Sequence, residues 1–183
     1  MPINQIYLNM KKVLLILLAV TLSITQSFAQ DSKGYIGVSI GLAAPTGDLA
    51  DVVDSGLELG LINAGYRFNE TWGATLNWGA SGHVSSDDDE ITVGVGYLGI
   101  GPMISFGAFD IKPQYAFVSA VVEGYGEEVT EDASGFILGA TYNFLSGKKW
   151  GITANADYLN FTGEDSDDSE SIFKLSVGVR YNF

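Results

Sequence analysis

Along residues 173–183 apolar and polar side chains alternate without a break. Phe173, Leu175, Val177, Val179, Tyr181 and Phe183 fall on one face, and Lys174, Ser176, Gly178, Arg180 and Asn182 on the other. A helical period would scatter both sets around a circumference, so this segment is a strand with one apolar face. Residues 71–81 behave alike, with Trp72, Ala74, Leu76, Trp78 and Ala80 opposing Gly73, Thr75, Asn77 and Gly79. Residues 135–144 set Phe136, Leu138, Ala140, Tyr142 and Phe144 against Gly135, Gly139, Thr141 and Asn143. Residues 150–158 set Trp150, Ile152, Ala154, Ala156 and Tyr158 against Gly151, Thr153, Asn155 and Asp157.

Four further segments follow the pattern approximately. Residues 34–44 point Ile36, Val38, Ile40 and Leu42 to the apolar face. In 56–68 the phase switches, from Leu57, Leu59 and Leu61 to Tyr66 and Phe68. Residues 91–106 are expected to slip likewise, from an apolar face of Val93, Val95 and Tyr97 to one of Ile100, Ile104 and Phe106, through a bulge near Gly99-Ile100-Gly101. Segment 109–123 carries Pro113, which cannot donate to a ladder, and irregular pairing is expected there and near Pro102.

Eight strands need seven connections, and these sort by parity. The odd ones, 45–55, 83–90, 123–132 and 162–170, read as long loops, whereas the even ones are short. The long connections hold 17 of the 22 acidic residues and no lysine or arginine. In an up-and-down barrel odd and even connections emerge at opposite ends, so one end of the molecule is acidic. The other is aromatic: Tyr66, Phe68, Trp72, Phe106, Phe109, Tyr142, Phe144, Trp150, Tyr181 and Phe183 lie near the short turns or the C-terminus. Amphipathic rings favour a membrane–water interface and form girdles on transmembrane barrels.

Composition agrees with lipid-facing strands. Hydrophobic residues make up 46% and charged residues only 17%, yet no run after residue 30 is long enough for a membrane-spanning helix. Lys11 and Lys12, the apolar run 13–24 and the small-residue site Ser27-Phe28-Ala29 describe a secretory signal peptide. The expected organisation is a signal peptide over 1–29, initiated at Met10, and an outer-membrane barrel domain over 30–183. That domain carries 22 acids and 7 bases, a net charge of −15, which argues against nucleic acid as a partner. The chain has no cysteine, so disulfides, thiolate metal sites and a lipid-modified cysteine are ruled out.

With these features in place, residues 31–183 resemble the small outer-membrane β-barrel proteins, the OmpA/OmpX type of eight-stranded domain. The resemblance is strongest in the final residues, where Gly178, Tyr181 and the terminal Phe183 match the spacing of that family's membrane-insertion signal. It implies an all-β, eight-stranded antiparallel up-and-down transmembrane barrel in the outer membrane of a Gram-negative cell. It also implies recognition by the barrel-assembly machinery. A soluble lipocalin-like barrel is the rival fold, and it would bury the apolar face inward.

Candidate chemistry is sparse. Gly94-Val95-Gly96-Tyr97-Leu98-Gly99 matches a dinucleotide fingerprint in letters, but it lies inside a strand with no helix after it, and strand glycines explain it better. The sole histidine, His83, lies near Ser81, Ser85 and Ser86, and is expected to be a solvated loop residue rather than a catalytic base. Asp87, Asp88, Asp89 and Glu90, with Glu164, Asp165, Asp167 and Asp168, form carboxylate clusters that could hold a divalent cation weakly. They lack the spacing of a dedicated calcium loop, and a solvated surface is the simpler expectation.

The polar face of the strands carries Asp110, Lys112, Asp157, Lys174 and Arg180, with Arg67 beside them. Eight strands enclose only enough space for side chains or something small, and buried charges must pair. The expected outcome is an internal charge network that fills the lumen. The protein is then a non-enzymatic barrel with a structural or interaction role, without a cofactor or a dedicated metal site. It would be monomeric, with outer-membrane lipid and lipopolysaccharide as its partners. The alternative is a porin-like channel or transporter for small solutes or apolar molecules, with the same charges lining a pore.

Overall fold

The computed structural model of the protein describes residues 33–86, 90–125, 127–146, 149–164 and 168–183. The expected signal peptide and the Met10 start lie outside the described residues. Eight strands form in chain order: β1 (Gly34–Thr46), β2 (Gly56–Arg67), β3 (Trp72–Val84), β4 (Thr92–Phe106), β5 (Phe109–Gly124), β6 (Glu127–Ser146), β7 (Trp150–Gly163) and β8 (Ser169–Asn182). Each pairs antiparallel with its chain neighbour, and β8 returns to β1 to close a barrel. The seam runs from Tyr35 opposite Asn182 to Thr46 opposite Ser171, so no edge strand remains in the barrel wall.

The even-numbered connections are tight, as the chain pattern requires. Asn69 holds one turn by accepting the backbone N–H groups of Thr71 and Trp72 at 2.9 and 2.8 Å. Gly107 makes the next, at φ 62°, in the left-handed region that favours glycine. At the opposite end the 3-10 turn Gly47–Asp51 folds inward after β1.

The apolar faces point outward. Leu42 is 67% exposed, Val177 58% and Phe106 61%, a wall of bare hydrocarbon that only lipid can cover. Polar side chains point into the lumen, which is the inverse of a lipocalin. Several of the aromatics at the short-turn end contact one another, including Phe109–Tyr142 at 4.7 Å and Trp150–Tyr181 at 5.2 Å between ring centres.

The phase switch in β2 is a bulge between Gly60 and Ile62. Leu57 and Leu59 face outward before it, Leu61 is the extra residue and is also exposed, and Tyr66 faces outward after it. Pairing between β4 and β5 is interrupted from Ile100–Tyr115 to Ile104–Ile111, beside Pro102 and Pro113, and resumes in the same register. A second bulge, not anticipated from the pattern, falls between Asn143 and Leu145 in β6.

Two expectations are corrected. β4 does not slip: even-numbered residues face out along its whole length, so Val95 and Tyr97 are buried in the lumen and Leu98 and Ile100 face outward. Residues 123–132 are not a loop either, because β5 and β6 stay paired out to Gly124 opposite Glu127. Backbone pairing across a long hairpin outweighs the poor strand propensity of its glutamates.

Candidate functional site

Inward-facing residues fill the barrel in three storeys. Nearest the short turns, Asp110 is fully buried and sits at the centre of a polar cluster. Arg67 Nη2 donates to both of its oxygens at 3.0 and 3.1 Å. Ser105 donates at 2.7 Å and Asn143 at 3.1 Å, and Arg180 Nη1 lies 3.8 Å away. Arg67 Nη2 thus bridges the two carboxylate oxygens while its Nε donates to Ser105 at 3.1 Å, and with two neutral donors besides, the buried charge is well compensated. Arg180 also stacks over Tyr35, 5.0 Å from the ring centre.

The next level joins neighbouring strands through amides and hydroxyls. Asn77 donates to Gln114 at 3.1 Å, Thr141 to Asn155 at 2.9 Å, and Asn155 to Ser176 at 3.1 Å. Beside them Lys174, 2% exposed, lies 3.8 Å from Glu58 and 3.3 Å above the Tyr97 ring, and the Tyr97 hydroxyl donates to Glu58. Asp157 stands opposite Lys174 in the β7–β8 register, and Lys112 is buried on the inner face of β5. A small void lined by Tyr35, Asn63, Lys112, Asn155 and Arg180 among others has a volume of about 10 Å³. That is no more than a single water requires.

Toward the long-connection end the lumen becomes apolar. Ala43, Val95, Val118, Ile137, Leu159 and Ile172 are buried against one another, with Leu49 of the 3-10 turn packed on them. Val53 bridges to Ser85, and the Ser86 N–H donates to Val52 at 3.0 Å, which ties the segment after the turn to β3. Above this plug a cavity of about 340 Å³ opens, walled by Val52, Val93, Val122 and Phe161 and rimmed by Ser85, Glu131, Asp168 and Glu170.

All six lumen charges expected from the sequence, Arg67, Asp110, Lys112, Asp157, Lys174 and Arg180, lie on inner faces. Arg67, Asp110 and Arg180 meet in one cluster, whereas Lys174 pairs with Glu58. Glu58 and Tyr97 were missed. Glu58 sits in phase between the outward Leu57 and Leu59, a signal that was readable; Tyr97 was assigned to the wrong face with its strand.

His83 is corrected too. It is buried at 2% exposure rather than solvated, with Nδ1 3.0 Å from the Asp54 carbonyl and Nε2 3.0 Å from Ser81 Oγ. The Ser–His contact of a hydrolase is therefore present, but a backbone carbonyl stands where the orienting acid would be. Both side chains are buried, and neither lines the mouth cavity.

Gly178 is packed inside β8, where an added Cβ would come within 2.7 Å of the Val38 carbonyl. Tyr181 faces outward against Trp150, and the Phe183 ring covers Gly34 at the seam. Of the carboxylates proposed for cations, Asp87, Asp88, Asp89, Asp165 and Asp167 lie outside the described residues. Among the described residues no group of three or more candidate ligands comes together.

A family model described as the outer membrane protein beta-barrel domain matches residues 15–183. Among solved structures, the chain is similar to Neisserial surface protein A at 18% identity and a TM-score of 0.58, covering 82% of this chain and 97% of that one. It is similar to the outer membrane protein OprG of Pseudomonas aeruginosa at 13% identity and 0.54, covering 83% and 97%. A major outer membrane protein of Thermus thermophilus matches at 12% identity and 0.53, covering 84% and 100%. At such identities the likeness is one of fold. No curated protein sequence matches the chain.

Proposed function

The chain belongs to the outer-membrane β-barrel domain family, and on that premise we propose that it is a non-conducting barrel whose task is to present its acidic end at the cell surface. The observation that carries this reading is the filled lumen. The Asp110 cluster, the Lys174–Glu58–Tyr97 level and the apolar plug lie one above another along the barrel axis, each built from buried side chains of several strands. A solute or ion crossing it would have to break charge-assisted contacts that are costly to leave unmade in a buried site.

The acidic end carries Asp48, Asp51 and Asp54, and the paired hairpin arm carries Glu123, Glu127, Glu128, Glu131 and Asp132. Long connections belong outside and short turns in the periplasm in barrels of this kind, so this surface faces the medium. Partners there are cationic groups or divalent ions bridging to lipopolysaccharide phosphates. The reading assigns no reaction to the protein. Its C-terminal residues are the part we assign to the barrel-assembly machinery.

The reading is tested by swelling of liposomes that contain the refolded barrel in isotonic small sugars. No swelling beyond that of empty liposomes is expected. Swelling that rises with the amount of folded protein overturns it in favour of a transport role.

A further inference from the structure

We propose that the mouth of the barrel is a binding site for a small organic cation with an alkyl or aryl body. The site goes beyond the reading above and does not depend on a closed lumen, so a conducting barrel would leave it standing. The cavity is large enough to matter: about 340 Å³, at the lower end of the roughly 300–1,000 Å³ typical of small-molecule sites. Its floor and walls are hydrocarbon, from Val93, Val95, Ala133 and Phe161 below to Val52 and Val122 at the sides.

The polar groups at the rim are of one sign. Glu131, Asp168 and Glu170 line it together with the Ser85 hydroxyl, and no lysine, arginine or histidine is among the described residues that line it. Glu170 lies in the inward phase of β8, two residues above the fully buried Ile172. Its Oε2 is shielded from solvent and has no hydrogen-bond partner among the described residues, while the carboxylate as a whole meets the Leu49 backbone N–H and the like charges of Asp48 and Asp168. A shielded carboxylate oxygen at the edge of an apolar pocket favours a cationic donor over water or an anion. The net charge of −15 on residues 30–183 also draws small cations toward this end. Apolar walls, an acidic lip and an unmet acceptor at their junction match one ligand chemistry: hydrocarbon with an ammonium at its end.

The pocket also has a firm wall. The segment after the 3-10 turn is fastened at both ends, with Val53 N–H bonded to Leu49 O at 3.1 Å and Asp54 N–H to Val84 O at 2.9 Å. Binding would therefore order little that is not already ordered.

The test uses residues 30–183, which contain every described strand, refolded in lipid nanodiscs with labelled valine methyls. Octylammonium, hexylammonium and octanoate are the probes. Val93, Val95 and Val122 report the cavity; the lipid-facing Val38 and Val177 report partitioning into the bilayer. Octylammonium is expected to shift the cavity methyls saturably and beyond the bilayer reporters. Hexylammonium should bind roughly fifteenfold more weakly, the ratio for two methylenes at about 0.8 kcal/mol each. Octanoate should need at least tenfold higher concentration than octylammonium. Glu170→Gln is expected to weaken octylammonium about fivefold or more while keeping the chain-length ratio. Ala120→Phe, which fills the cavity, should abolish the shifts. Equal response to octylammonium and octanoate, retention of the shifts in Ala120→Phe, or no shift beyond that of Val38 and Val177 would each overturn the proposal.

Discussion

The Lys174 ammonium nitrogen lies 3.3 Å from the centre of the Tyr97 ring, and the Tyr97 hydroxyl is hydrogen-bonded to Glu58, whose carboxylate is 3.8 Å from the same ammonium. Three groups from β2, β4 and β8 thus close on one another across the lumen. A desolvated cation over a ring contributes about 2 kcal/mol or more, and the ion pair at 3.8 Å offsets a further part of what burying the charge costs.

Replacing Lys174 by methionine is expected to destabilise the folded barrel by about 3–5 kcal/mol, the range for stranding one partner of a buried pair. The double variant Glu58→Leu/Lys174→Met should cost less than the sum of the singles, because neither charge is then left alone. Urea unfolding of the refolded barrel measures both. Additive losses would show that Glu58 and Lys174 do not act on each other.

The Asp110 cluster makes a second comparison. Asp110→Asn leaves two guanidiniums without their shared carboxylate and is expected to cost about 3–5 kcal/mol. Ser105→Ala removes one neutral donor and should cost about 1–3 kcal/mol. The same unfolding assay ranks them, and equal losses would contradict the central place given to Asp110.

How legible these features were depended on whether a strand's two faces differ. β3, β7 and β8 put large apolar residues against polar residues and glycines, and the two faces followed from the chain directly. β4 did not, because its lumen face carries Val93, Val95 and Tyr97 while its outer face carries Gly94 and Gly96. The rule of apolar outward fails where the lumen itself holds an apolar plug, and outward glycines give no signal to correct it. The hairpin arm was hidden for a different reason: glutamates are poor strand formers, and only the pairing of Glu123 with Glu128 and Val122 with Val129 reveals it. His83 looked like a loop residue because the acidic run after it is so polar, yet it is the inward end of β3.

Glycines at close strand approaches should be intolerant. A Cβ at Gly41 would lie 1.9 Å from the Leu175 carbonyl oxygen, whereas one at Gly96 would meet nothing nearer than 3.7 Å. Gly41→Ala is expected to cost about 1–3 kcal/mol, as overpacking does, and Gly96→Ala to be near neutral. Heat-sensitive gel mobility after refolding separates the two. The reverse order would contradict the β1–β8 packing.

Because the chain has no cysteine, single cysteines report orientation cleanly. Glu128→Cys on the hairpin arm should react with a membrane-impermeant maleimide on intact cells, and Asn69→Cys in the β2–β3 turn only after the outer membrane is opened. The opposite pattern would invert the barrel.

At the C-terminus, Phe183→Ser is expected to lower the amount of barrel in the outer membrane severalfold while leaving refolding in detergent largely intact. Comparing membrane fractions with refolding yields measures this. An equal loss in both would mean that the Phe183 ring acts through its packing on Gly34 rather than as an insertion signal.

Planar-bilayer recording of residues 30–183, with folding confirmed by heat-sensitive mobility, addresses the filled lumen most directly. Silence over long recordings is predicted for the unmodified barrel, because the Asp110 cluster, the Lys174 level and the apolar plug block the same axis. Reproducible unitary current steps from that barrel would contradict it, and would make Lys112, Lys174, Arg180, Asp110 and Asp157 the lining of a pore.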